Sequence, residues 1–292
     1  MSEFRRRLSG YLEASRRTLV NNKKGLFGFL LLTLVVIGAV FAPFITPYEP
    51  TGMNILDKLK GPSSAHPLGT DRFGRDLLTR ILYGVRTTLR ISATSVFLSA
   101  LVGSFIGILA AYLGGAVDTL IMRGMDILFA IPILLLAIAI AAIVRSGTLG
   151  AILAIGIVYV PIFARTSRGP TLSVKEQSYI EAANASGRGN LTIIGRHVVP
   201  NVAAPIFVQI TINLAAAIIV ESSLSFLGLG PTPPTPSLGV MISNGRNYLR
   251  LSPWTILVPG LAISTIILGF NLLGDALRET IDPKFRGTRG TG

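Results

Sequence analysis

Six stretches of the chain run without a single Lys, Arg, Asp or Glu: 25–48, 91–117, 127–144, 146–164, 198–220 and 251–274. Each is rich in Leu, Ile, Val, Ala and Gly, and each is close to or above the roughly 20 helical residues that cross about 30 Å of hydrocarbon. The pattern predicts an all-α membrane protein with six transmembrane helices. Arg5, Arg6, Arg7, Arg16, Arg17, Lys23 and Lys24 precede the first stretch, as in the basic region of a signal peptide. The apolar run is too long for such a leader and no small-residue cleavage pattern follows it, so it reads as a retained anchor.

Six crossings put both termini on one side of the membrane, and the Lys/Arg distribution places that side in the cytoplasm. Seventeen of the 27 basic residues then lie inside, while the two short outer loops carry only Arg145, Arg246 and Arg250. The remaining seven fall in 49–90, on the outer side, against the rule. Within 74–90, Leu77, Ile81, Val85 and Leu89 recur every four residues, with Arg75, Arg80, Arg86 and Arg90 off that stripe. Two structures fit: an amphipathic helix lying in the interface, or an extension of the second span with snorkelling arginines.

The chain therefore divides into a basic cytoplasmic arm (1–24), an N-terminal anchor helix (25–48), an outer polar arm (49–73), a five-span core (74–280) and a cytoplasmic tail (281–292). It contains no internal repeat of the kind inverted-repeat transporters show. Composition agrees: 50% of residues are hydrophobic, 14% are charged and mean hydropathy is +0.62. That excludes an ordinary soluble enzyme. The net charge of +13 fits a basic membrane protein facing anionic lipid, without any need for nucleic acid. With no Cys and only His66 and His197, thiol chemistry, iron–sulfur clusters and Cys/His zinc sites are excluded. His66, without a second His or Cys nearby, is a weak metal ligand, and no metal is expected.

The polar segment between the fourth and fifth spans, within 173–200, is predicted to be a compact helix–turn–helix on the inner side. Ser178 to Ala185 is Ala-rich and helix-favouring, Gly187 and Gly189 permit positive φ, and Leu191 to Val199 can form a second short helix. Small Ala side chains let a partner approach the backbone, and Arg188 and Arg196 suit acidic partners or lipid phosphates.

This segment reads SYIEAANASGRGNLTIIGRHVVPN and carries Glu181, Ala182, Ala183, three residues, Gly187, nine residues, then His197, Val198, Val199 and Pro200. It resembles the EAA motif of bacterial ABC importer permeases, and its RHxxP ending resembles the peptide/nickel branch. The segments HPLGTDRFGRDLLTRILYGVRTTLRIS (66–92), ESSLSFLGLGPTPPTPSLGVM (221–241) and NLLGDALRETIDPKFR (271–286) are similar to the C-type permease of dipeptide/oligopeptide/nickel importers. Leu238 stands where that family suggests an aromatic residue. The resemblance implies a MetI-like permease core with an extra N-terminal anchor helix, in the bacterial plasma membrane. It implies a homologous second permease as heterodimeric partner, two cytoplasmic ATPase subunits and an extracytoplasmic substrate-binding protein. Glu181, Ala182, Ala183, Gly187, Arg188, His197 and Pro200 would couple to the ATPases. The chain has no GxxxxGK[ST] phosphate loop, so it is read as no enzyme and as binding no cofactor; ATP and Mg would sit in the partner subunits.

Within the spans, Glu221 is a costly charge about 27 Å from an inner start near Ala203, hence towards the outer half. Together with Ser222, Ser225 and the Pro/Gly-rich residues after it, it predicts a bent or re-entrant element over 221–236, near a gate. The alternative is an interfacial carboxylate that caps a helix or pairs with Arg246. Gln209, Asn213 and Glu221, spaced by four and eight residues, share a helix face and either line a pathway or bond between helices. Asp118, Arg123 and Asp126 are expected as ion pairs in a short inner loop, and PTPPTP (231–236) as a rigid outer turn. Permease subunits of peptide importers are the leading reading, with nickel or other small solutes as alternative cargo. An ion-coupled secondary transporter would rest on Glu221 and Asp275 alone, and no paired carboxylates or Ser/His dyad support an intramembrane enzyme.

Overall fold

The computed structural model describes residues 22–144 and 147–281. The N-terminal arm up to residue 21, Arg145 and the tail beyond 281 lie outside the described residues. Helices account for all the regular elements among them, apart from one isolated bridge between Thr70 and Asp76.

Helix α1, Lys23–Val40, opens on Asn22, whose side-chain oxygen accepts from the N–H groups of Lys24 and Gly25. These are two of the donors a helix start leaves unpaired. A helical turn, Ala42–Ile45, continues it towards the side that the Lys/Arg distribution predicts to be outer, and inner and outer name the two sides by that expectation. The outer arm then folds as a knot of polar contacts around the start of helix α2, Leu77–Leu113. Asp76 caps that helix by accepting from the Thr79 N–H at 2.8 Å and the Thr79 hydroxyl at 2.7 Å. The other Asp76 oxygen meets His66 Nδ1 at 3.0 Å, and His66 Nε2 lies 3.7 Å from Asp57. Tyr48 stacks on the same imidazole with ring centroids 4.8 Å apart. A hydrogen bond from Lys60 holds the Asp57 carboxyl below the usual carboxylate range. Gly74, at φ +70°, has the Asn54 carbonyl where a side chain would be.

Asp76→Ala removes the cap and the His66 partner together. The expected cost is about 1–2 kcal/mol, seen as faster protease cleavage within 46–76 while the spans stay protected; an unchanged cleavage rate would show that the cap does not hold the arm.

Helix α2 settles the choice left open for 74–90: it is one helix of 37 residues, about 55 Å long, so its first turns extend the second span well beyond the hydrocarbon. Leu77, Ile81 and Val85 are buried. The arginines do not snorkel uniformly. Arg75 pairs with Asp71, Arg80 donates to the Pro50 carbonyl at 2.7 Å, and Arg86 donates to the carbonyls of Ala39 and Val40 at the end of α1. Most of the outer basic residues that offended the inside-positive count are thus committed to the protein itself, and the last of these contacts complements a helix C-terminus.

Gly114 and Gly115, at φ +70° and +55°, end α2 and start helix α3, Gly115–Ala130. Helix α4, Ile133–Val144, follows. The predicted single span 127–144 is corrected here: α3 and α4 meet at 94°. Pro132 is the cause, since the residue before a proline is driven out of the helical region, and Ile131 is extended at φ −88°, ψ 131°. Among the described residues, five helices are long and apolar enough to cross a membrane, six when this bent pair counts as one crossing. Asp118, Arg123 and Asp126, expected in a loop, lie on α3. Asp118 pairs bidentately with Arg168 and Asp126 pairs with Arg165.

Helix α5, Thr148–Lys175, packs along α2. Gly103 and Gly107 let the backbones meet, and the Ser99 hydroxyl donates across to the Gly156 carbonyl at 2.6 Å. Helix α6, Ser178–Ala185, is followed by α7, a continuous run Asn190–Phe226 with a π-helical turn at Ile194–Val198. Helix α8, Leu238–Gly245, folds back on the outer end of α7, and α9, Trp254–Ile281, returns to the inner side. Helix α7 is the centre, touching α2, α5, α8 and α9. Helix α1 docks on α9 through Gly28 and Gly269.

Candidate functional site

The segment after α5 is held by one apolar cluster. Ile180 and Ala183 of α6 pack with Ile193, Val198 and Val202 of α7 and with Ile108 and Tyr112 at the inner end of α2. Polar contacts fix the same junction: the Tyr112 hydroxyl donates to the Asn190 side-chain oxygen at 3.2 Å, and Lys175 Nζ donates to the Tyr112 carbonyl at 2.8 Å. Between α6 and α7, Gly187 stands at φ +73°, with its N–H bonded to the Asn184 carbonyl. That conformation costs an L side chain roughly 1–2 kcal/mol, whereas glycine adopts it freely. Gly189, at φ −64°, needs no such freedom, which corrects the paired expectation for the two glycines. The second short helix is also corrected: it runs on without a break into the span.

The motif residues separate into two faces. Glu181, Ala182, Gly187 and Arg188 are exposed, while Ala183 is buried. Leu191, which the motif reading missed, is 85% exposed beside them. Ile180 and Ala183, three residues apart, carried the inward signal. His197 is half-buried, with its ring 5.9 Å from that of the exposed Tyr179, and Pro200 is half-buried in α7. The element therefore presents a short helix, an open glycine turn and an apolar Leu to the inner side, and it is anchored to α2 as well as to its own span.

The intramembrane candidates lie between about two and seven turns further along α7. Gln209 Nε2 donates to Asn213 Oδ1 at 3.1 Å, and Asn213 is buried. Glu221 is 0% exposed. Its carboxylate accepts from the Ser225 hydroxyl at 2.7 Å and lies 3.5 Å from that of Ser222. Arg246 stands over the Phe226 ring at 5.9 Å, so the interfacial pair with Glu221 is replaced by an enclosed carboxylate. The predicted bend at 221–236 begins six residues late: α7 continues to Phe226, and the chain turns at Gly228, φ +84°. Gly230 and Gly239 then press against Ser225 and Ser222 so closely that a side-chain carbon at either would overlap them. Leu238 is fully buried and reaches Gly84 of α2. Ser222 and Ser225 thus pack against Gly230 and Gly239 of the folded-back segment, while the carboxylate of Glu221 bonds within α7, and all three side chains are buried. Among the described residues, no group of three or more His, Asp or Glu could hold a metal ion.

Residues 85–287 match the family described as binding-protein-dependent transport system inner membrane component, and residues 10–62 match the N-terminal TM domain of oligopeptide transport permease C. A dipeptide transport system permease protein of Alkalihalophilus pseudofirmus is 42% identical over 96% of this chain and 91% of its own length. A permease protein of the same description from Haemophilus influenzae is 37% identical over 91% of this chain and 92% of its own. The inward-facing MetNI methionine ABC transporter aligns with a TM-score of 0.57 at 18% identity, over 70% of this chain and 97% of the matched chain. At that identity the structural match speaks to the fold alone.

Proposed function

The chain belongs to the binding-protein-dependent transport inner membrane component family, and from that premise we propose that it forms half of a pathway for di- or oligopeptides and is driven by ATPases docked at 178–200. The observation that carries this reading is the exposed Glu181, Ala182, Gly187 and Arg188 face, locked by Tyr112 and Asn190 to the transmembrane bundle. A push on that face has a rigid route into α2 and α7. A homologous permease supplies the other half of the path, two ATPase subunits bind ATP and Mg, and an extracytoplasmic binding protein delivers cargo. Both termini lie in the cytoplasm. Peptide cargo is supported by the relatives, two of which carry dipeptide transport in their names.

Uptake of a labelled dipeptide by cells carrying the complete importer should vanish when the two ATPase subunits are deleted; uptake that persists would favour an ion-coupled carrier. Mass spectrometry of the ligand retained by the cognate binding protein should find short peptides, and a metal chelate there would overturn the cargo.

Glu221 serves in this reading to hold the outer end of α7, through Ser222 and Ser225, in the form on which α8 packs. Glu221→Gln keeps the size and one acceptor, so the assembled protein should remain while uptake falls several-fold. Glu221→Leu strands the Ser222 and Ser225 hydroxyls, at a cost of about 1–3 kcal/mol per buried group, and should lower the amount of folded protein as well. Wild-type uptake by both variants, normalised to the assembled complex, would remove Glu221 from the mechanism.

A further inference from the structure

On the outer side a cavity of about 20 Å³ opens between the arm, the start of α2 and the end of α8. Its walls include Asp71, Arg72, Arg75, Arg80, Asn244 and Tyr248. Three guanidiniums face one carboxylate, and that carboxylate is already spent. Asp71 Oδ2 takes Arg75 Nε at 2.7 Å, and Oδ1 accepts the N–H groups of Phe73 and Arg75 at 2.8 and 3.1 Å. Arg80 is 2% exposed and uses one nitrogen on the Pro50 carbonyl. Its Nε stands 3.5 Å from Asp71 and has no hydrogen-bond acceptor. Arg72 stacks over Phe73 at 4.5 Å, and its own buried Nε likewise has no acceptor.

Buried donors without acceptors are costly, and guanidinium donors more so than neutral ones. Beside Asp71 and Arg75, the walls of the cavity hold two such groups, an amide and a phenol, a donor set that suits an anion. The space suits a small one, since about 10–15 Å³ already accommodates one water. A planar carboxylate also matches the fork of a guanidinium.

We infer that the cavity formed by Arg72, Arg80, Asn244 and Tyr248 is a binding site for a single carboxylate group presented from the outer side. The occupant ties the arm and α2 to the end of α8 and the turn after it. The carboxylate comes from an acidic side chain of the delivering protein or from the C-terminus of the cargo. The choice between these sources rests on the importer reading; the existence of the site does not.

The test uses the full-length chain in its purified complex, with sodium formate replacing sodium chloride at constant ionic strength and pH. Formate should raise the thermal midpoint of the wild type saturably, and Arg72→Met should abolish the rise. No rise in the wild type, or an equal rise in the variant, overturns the site. Where Arg72→Met does not assemble, Tyr248→Phe at the opposite wall should reduce the rise, and an undiminished rise overturns the site. For the source, formate that weakens docking of the loaded binding protein equally for free and C-amidated peptide assigns the carboxylate to that protein. Weakening with the free peptide alone assigns it to the cargo, and formate without effect on either overturns an outer carboxylate partner. These readings do not depend on transport, so failure of the site and failure of the importer reading are distinguishable.

Discussion

Gly187→Trp should lower ATP-dependent uptake by at least about tenfold while leaving the amount of the chain in the membrane nearly unchanged; a tenfold loss corresponds to about 1.4 kcal/mol of coupling. The reason lies in two separate properties of that position. Its φ of +73° taxes any L residue, and a side chain built there would meet nothing within 4 Å in this chain. The added bulk therefore projects from the inner face, where a docked ATPase would meet it, and cannot be absorbed by repacking inside. Co-purification of the ATPases should fall in parallel with uptake. Gly187→Asn separates the two effects, because Asn tolerates the left-handed conformation better than most residues. It should retain more uptake than the Trp variant. Wild-type uptake and ATPase association in Gly187→Trp would sink the docking role of the turn.

Gly107→Val should have the larger effect on the protein itself. A side-chain carbon at Gly107 would sit on the Ala164 carbonyl group and the Ser167 hydroxyl, 2.8 Å from the Ala164 carbonyl carbon. Overpacking usually costs about 1–3 kcal/mol, but here the obstruction is backbone in a helix, which cannot rotate aside. Interfaces between transmembrane helices depend on such small residues because the bilayer supplies little hydrophobic force to hold helices together. The expected result is loss of the monodisperse peak in size-exclusion chromatography of the detergent-solubilised chain. A wild-type peak would mean that α2 and α5 can separate at this point without harm. The Ser167 hydroxyl, which donates to the Ser104 carbonyl at 3.3 Å, would lose that bond in the same step.

Much of this architecture is legible in the sequence because hydrocarbon imposes a simple rule: backbone groups must be paired, so an uncharged run becomes a helix. Five of the six uncharged runs did so. The sixth did not stay straight, and Pro132 was visible within 127–144, but hydropathy averages over such a break. The turn at Gly187 was legible from its spacing, since a glycine between two helix-favouring stretches has few other uses. Partners remote in sequence were not. Nothing local to Arg80 indicates the Pro50 carbonyl, 30 residues earlier, and nothing local to Tyr112 indicates Asn190, 78 residues later. Glu221 stands out in the sequence as a charge within a span, yet its full burial, and the packing of Gly230 and Gly239 on the neighbouring Ser225 and Ser222, appear only when the chain folds back. The outer arm was the least legible part, because its order comes from hydrogen bonds among polar residues with no periodicity.

Helix α2 begins beside the outer cavity and ends against Asn190 at the inner face. A rod of about 55 Å behaves mechanically as a lever, with the glycine contacts to α5 near its lower third as a fulcrum. A tilt of roughly 5° about that point displaces the outer end, about 42 Å away, by about 4 Å and the inner end by about 1 Å. Small rotations at the inner junction are thereby geared up at the opposite surface, and gripping the outer end sets how stiffly the inner end resists.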